Sequence, residues 1–181
     1  LDKGRDAHII SGGKMGRLNN LCKKMIGFYR SDPARIQHFL KVHSFAKLIG
    51  EEEGLDKNTL YILEAASYVH DIGIRPALEK YGKENGSLQE KEGPAEAEKM
   101  MRELGFEQNV IKRVSYLVGH HHTYTDIDGM DYQILVEADF LVNYFENQMD
   151  RETVKKSVKK VFRTETGKHL AEEMFFPEEF V

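Results

Sequence analysis

Residues 60–69 are apolar almost all the way round a helix: Leu60, Ile62, Leu63, Ala65, Ala66 and Val69 leave little surface for water. A helix without a wet face belongs in the middle of a bundle. This one runs directly into His70-Asp71, with Gly73 just beyond. Two polar groups arriving together at a core helix end require partners, because burying them unsatisfied is costly. A neutral imidazole nitrogen and a carboxylate oxygen are both good ligands for a divalent metal. The plainer alternative is a helix end with a capping His and an Asp in the following turn, and the rest of the chain decides between the two.

The 181 residues suit one compact domain, or one domain with an accessory helix, and 40% hydrophobic residues suffice for a core. A formal net charge of −4 provides no global basic field for nucleic acid. Cys22 stands alone, so no internal disulfide forms. No apolar run reaches the ~18 residues of a membrane span. The start is polar and contains glycine, unlike a signal peptide, and the expected location is cytoplasmic. Leu1 to Lys14 reads equally as a leader, a processed end or native sequence.

Helical spacing continues on both sides of the central element. Leu18, Leu21, Cys22, Met25, Ile26 and Tyr29 share one face. Asp32-Pro33 reads as an N-cap followed by proline at the first helical position, opening a helix to about Glu53. On that helix His43 falls in the apolar stripe with Phe39, Leu40 and Ala46, while His38 is expected on the wet side. Arg75-Pro76 is expected to break the helical run, and residues 81–93, with Gly82, Gly86 and Gly93, read as a long polar loop. Pro94 opens a further helix, and Val110 to Val118 another, ending in His120-His121-His122. Tyr132 to Phe145 carries Ile134, Leu135, Ala138, Leu141 and Val142, with Asp139 beside that stripe and Glu137 pointing away. Glu146 and Asp150 read as solvent-facing charges. Lys155, Lys156, Lys159, Lys160 and Arg163 read as the wet side of an amphipathic helix. The apolar end, Met174-Phe175-Phe176-Pro177 with Phe180 and Val181, is expected to dock on the body or on a second subunit.

Collecting the inward polar groups gives His43, His70, Asp71 and Asp139, with His120 and His121 in reserve. Two imidazoles and two carboxylates suit one divalent ion among Fe, Mn, Co, Ni, Zn and Mg. Four protein ligands around an octahedral ion leave room for a water and a substrate oxygen. The order His43, His70-Asp71, Asp139 on successive helices resembles the HD superfamily of metal-dependent phosphohydrolases, and His70-Asp71-Ile72-Gly73 matches the common form of its naming motif. The resemblance implies an all-α bundle with the metal between core helices. It implies metal ligation by His43, His70, Asp71 and Asp139, and phosphoester hydrolysis by metal-activated water.

The expected division is an N-terminal extension and accessory helix over 1–30, the HD core over 31–147 and C-terminal helices over 148–181. Expected roles are water orientation by Asp71, and substrate phosphate or a weaker second ion at His120 and His121. Arg75 is the first candidate for a cation facing the phosphate. Family members with two metals often carry a histidine where this chain has Glu92, so one metal is preferred, with Glu92 or Glu96 as candidates to complete a second site. The expected partner is a small phosphorylated substrate such as a nucleotide, with no membrane. Four other readings stay open: a phosphodiesterase with a two-metal site, a non-catalytic nucleotide sensor, a nucleic-acid module using Lys155 to Arg163, and a di-iron oxygenase.

Overall fold

The computed structural model describes residues 13–176, which form nine helices and no strand among the described residues. They are α1 (Lys14–Phe28), α2 (Pro33–Glu52), α3 (Lys57–Val69), α4 (Ile74–Tyr81), α5 (Gly86–Glu103), α6 (Gln108–Val118), α7 (Met130–Glu146), α8 (Arg151–Val161) and α9 (Glu165–Phe175). No helix is long and apolar enough to cross a membrane. The expected all-α bundle is what forms, with α3 at its centre packed against α1, α2, α6 and α7. Every residue from Tyr61 to Val69 on α3 is buried. α2 is gripped between α3 and α7, and α5 pairs with α6.

Polar residues start the helices where expected. Asp32 accepts from the Arg35 amide at 3.1 Å, and Asp56 from the amides of Asn58 and Thr59. Asn85, Asp150 and Thr164 cap α5, α8 and α9 in the same way. Each such cap contributes about 1 kcal/mol.

Two expected breaks are absent. Pro76 sits in the first turn of α4, where a missing amide hydrogen costs nothing. The expected loop over 81–93 is mostly helix, because α5 begins at Gly86 and carries Pro94 internally. Its glycines are packing residues. A Cβ on Gly93 would stand 2.6 Å from Val118 Cγ1, so the small residue lets α5 approach α6. The C-terminal segment forms α9, which sets Phe175 edge-on to Tyr144 and buries Phe176. Pro177, Phe180 and Val181 lie outside the described residues, as do residues 1–12.

Glu137 does not point to solvent. It is fully buried, because α8 and α9 cover that side of α7. Its Oε1 accepts from Gln133 Nε2 at 2.6 Å and from the amides of Arg163 and Thr164, and its Oε2 accepts from the Thr164 hydroxyl. A buried carboxylate satisfied this fully fastens the α8–α9 junction to the core helix.

Candidate metal centre

The end of α3 presents His70 and Asp71 to the space between α2 and α7. His70 is fully buried, and its Nδ1 donates to the Ser67 carbonyl at 2.9 Å. A carbonyl can only accept, so the hydrogen is on Nδ1 and the Nε2 lone pair faces the site. The turn that follows is held by Tyr29, whose hydroxyl donates to the Asp71 carbonyl at 2.7 Å. Asp139 comes from α7, 3.5 Å from His70 Nε2 through its Oδ1. Asn143, one turn on, donates to that oxygen at 2.9 Å.

The third helix contributes His38, not His43. His38 Nε2 lies 3.2 Å from His70 Nε2, 3.1 Å from Asp139 Oδ1 and 3.4 Å from Asp71 Oδ2. Its Nδ1 donates to Glu146 Oε2 at 2.7 Å, which orients the ring in the way outer carboxylates orient metal-ligating imidazoles. His43 lies on the other side of α2, stacked on Tyr68 with ring centroids 4.1 Å apart and its Nε2 3.0 Å from Glu64 Oε2. The expectation for both histidines is therefore reversed. At ~100° per residue each flanks the buried stripe of Phe39, Val42, Ala46 and Ile49, by about 70° in opposite directions. Both flanks of α2 are covered, and only the tertiary arrangement decides which one meets Asp71.

From α6, His121 arrives fully buried, its Nδ1 donating to the Val118 carbonyl at 2.8 Å. Its Nε2 is a buried nitrogen with no hydrogen-bond partner, 3.4 Å from Asp71 Oδ1. His122 stands beside it and hydrogen-bonds Gln89 Oε1 through Nε2 at 2.8 Å. Burial, followed by the nearness of His121, pulls His122 down to about 4, so it is neutral at pH 7. His120 turns away, stacking on Tyr116 and binding the Tyr116 carbonyl. Arg75 also misses the cleft, being exposed and paired with Glu79 and the Phe28 carbonyl. Glu92 pairs with Lys80 and Tyr81. The residue that α5 offers to the histidines is Gln89.

The electrostatics fit a cation. Burial opposes charge on His38, but Asp139, Asp71 and Glu146 together push it up to about 9. Burial likewise opposes ionisation of Asp71, but His70 and His121 hold its carboxyl well below the usual carboxylate range. Asp139 is held low as well, against burial, by its hydrogen bond from His38 and by the nearness of His70. Three imidazoles anchored through Nδ1 thus aim Nε2 atoms at two ionised carboxylates. Ligands about 2.1 Å from one ion stand about 3 Å apart when adjacent in an octahedron. The separations of 3.1–3.5 Å among His38, His70, Asp71 and Asp139 match that spacing. His38, His70 and Asp71 form one group able to hold a metal, and Asp71, His121 and His122 form another.

The centre opens into a cleft of about 390 Å³ lined by Arg35, His38, Asp71, Gln89, His122 and Asp139. Arg35 is the cation on its wall, bonded to Glu84 at 2.8 Å and Asp32 at 3.1 Å. Sequence reasoning missed His38, Arg35, Gln89, Asn143 and Glu146. The last two had a usable signal, since Asp139, Asn143 and Glu146 recur at i, i+4 and i+7 on one face of α7.

Comparison with known proteins identifies the fold and the family. A crystal structure described as a predicted HD superfamily hydrolase, from an uncultured Thermotogales bacterium, superposes with a TM-score of 0.61 at 26% identity, covering 92% of this chain and 88% of its own. Bacillus subtilis YpgQ has the same fold, with a TM-score of 0.62 at 18% identity and 92% of each chain covered. No curated protein matches the chain. The family model for the HD domain matches residues 35–179, well over half of the sequence, and the chain belongs to the HD domain family.

Proposed function

We propose that this protein is a metal-dependent phosphohydrolase that cleaves a phosphoester of a small metabolite or nucleotide. The observation that carries the proposal is the convergence of His38 and His70 Nε2, each anchored through Nδ1, on Asp71 and Asp139 at the floor of an open cleft. His38, His70, Asp71 and Asp139 would hold one divalent ion. Such an ion supplies Lewis acidity to a phosphoryl oxygen and to an attacking water.

The remaining steps belong to the chain's own groups. Asp71 Oδ1 faces away from His38 and His70, toward His121, and is the oxygen placed to orient water and take its proton. Arg35 stays cationic on the cleft wall and faces the phosphoryl charge. His121 adds a buried nitrogen beside Asp71 that is aimed into the site. A second reading, a phosphodiesterase with two metals, is favoured by the group Asp71, His121 and His122. The carboxamide of Gln89 on His122 is a weak ligand, and it supports the single-metal reading.

Elemental analysis of wild type and Asp71→Ala, with a phosphoester screen with and without chelator, tests the proposal. One equivalent of metal and chelator-sensitive turnover in wild type, both lost in the variant, is the expected result. Two equivalents would favour the phosphodiesterase. Full metal and full turnover in Asp71→Ala would remove the site assignment.

A further inference from the structure

A second cavity, of about 700 Å³, lies beyond the metal cleft and shares no described lining residue with it. Its walls are Tyr124 and Phe140 on one side and the Thr153–Val161 face of α8 with Arg163 on the other. That volume is in the range of small-molecule sites. The two aromatic rings meet at 5.0 Å, and Tyr124 keeps an exposed face.

α8 divides its cations between two sides. Lys155 reaches the Phe176 ring, while Lys156 and Lys160, one turn apart, line the cavity. Neither Lys156 nor Lys160 makes an ion pair among the described residues. Among the described residues the Arg163 guanidinium donates to the carbonyls of Phe162 and Lys160 and meets no carboxylate, so its charge is not neutralised by an acid. No carboxylate is among the described residues lining the cavity. Asp126 lines an adjoining recess of about 380 Å³ together with Tyr124, Lys160 and Arg163. Three cations facing one carboxylate, around an exposed aromatic face, complement an anion that carries a flat ring.

We propose that this cavity is a second binding site, separate from the metal cleft, for a small organic phosphate bearing a flat ring. The ring lies on Tyr124, and the phosphates meet Lys156, Lys160 and Arg163. Tyr124 follows His122 by two residues and Phe140 follows Asp139 directly, so the occupant adjoins the cleft without entering it.

The test is calorimetric titration of the full chain with α,β-methylene-ADP, whose phosphorus–phosphorus bridge resists hydrolysis. The substituted lysines are exposed, and melting curves confirm that each variant is folded. Lys160→Glu and Lys156→Glu are each expected to weaken binding at least tenfold, and Tyr124→Ala at least fivefold. Lys159→Glu, the same charge change on an exposed part of α8, is expected to change it less than twofold. His38→Ala, which disables the cleft, is expected to leave it intact. Loss of binding in His38→Ala with none in Lys160→Glu would put the nucleotide in the cleft and overturn the second site. Pyrophosphate binding as tightly as the nucleotide would overturn the role of the ring. A single-stranded oligonucleotide that binds more tightly and displaces the nucleotide would make α8 a nucleic-acid surface instead.

Discussion

At the scale of single residues, the two histidines of α2 separate function from stability. His38 Nε2 lies within 3.4 Å of three other polar site atoms, and removing it takes away a proposed ligand. His38→Ala is expected to lose at least nine-tenths of the bound metal and over a hundredfold in kcat, by elemental analysis and steady-state assay. His43→Ala is expected to keep its metal and its kcat within threefold. It leaves Glu64, 7% exposed, without its partner and strips one face of Tyr68, which costs about 1–3 kcal/mol. At 2–4 °C per kcal/mol for a chain of this size, Tm falls by about 2–12 °C. The opposite pattern would restore His43 to the site. His70, Asp71 and Asp139 were legible in the sequence because each put a polar group on or beside a strongly apolar helix. His38 was not, because α2 has nearly symmetric flanks, and the choice between them lies in α3 and α7. Arg75 was misjudged for a related reason: nearness to the His-Asp pair in sequence does not fix the direction of a long side chain.

At the scale of helices, the glycine two positions past Asp71 sets how the site is assembled. A Cβ on Gly73 would overlap the Gln89 carbonyl oxygen and stand 2.9 Å from the Gly93 amide nitrogen. Both obstacles are backbone of α5, so the helix itself would have to move. α5 carries Gln89 and Glu90, and Glu90 accepts from the His122 amide at 3.0 Å and from the Thr123 hydroxyl. Gly73→Ala is thus expected to destabilise the fold, by about 1–3 kcal/mol for overpacking, and to lower kcat/KM for the phosphoester as the histidine segment shifts. Gly27→Ala, with nothing within 4 Å of the added carbon on a helix, is expected to be neutral or to stabilise by up to about 1 kcal/mol. Melting curves and kinetics on the two variants check this, and equal behaviour would show that α5 yields freely. The same close packing explains why α5 was hidden in the sequence. Polar residues and three glycines over 82–93 read locally as loop, whereas the helix is held by contacts with Gly73 and Val118 that only the assembled bundle provides. The helices with strong apolar stripes, α3, α6 and α7, needed no such help.

At the scale of the molecule, the centre joins helices that are distant in sequence. His38 on α2, His70 and Asp71 at the end of α3 and Asp139 on α7 would be cross-linked by one ion. A ligand that binds only the folded chain stabilises it by about 2.7 kcal/mol at one hundred times its Kd. Chelation is therefore expected to lower Tm by about 5–11 °C in wild type, and by less than 2 °C in Asp139→Asn. The dependence on pH differs between the metal-free and the metal-loaded state. In the metal-free chain His38 is raised from 6.5 to about 9 by Asp139, Asp71 and Glu146 against the cost of burial. The stability contributed by that proton is complete below about pH 6.5 and is lost as pH rises through about 9. Metal uptake must displace the same proton, so apparent metal affinity rises over that window. The gap in Tm between metal-loaded and chelated protein is accordingly expected to widen from pH 6.5 to pH 9, read by melting at fixed free metal. A gap independent of pH would mean that the ion does not compete with the His38 proton, and the ligand set would then have to exclude His38.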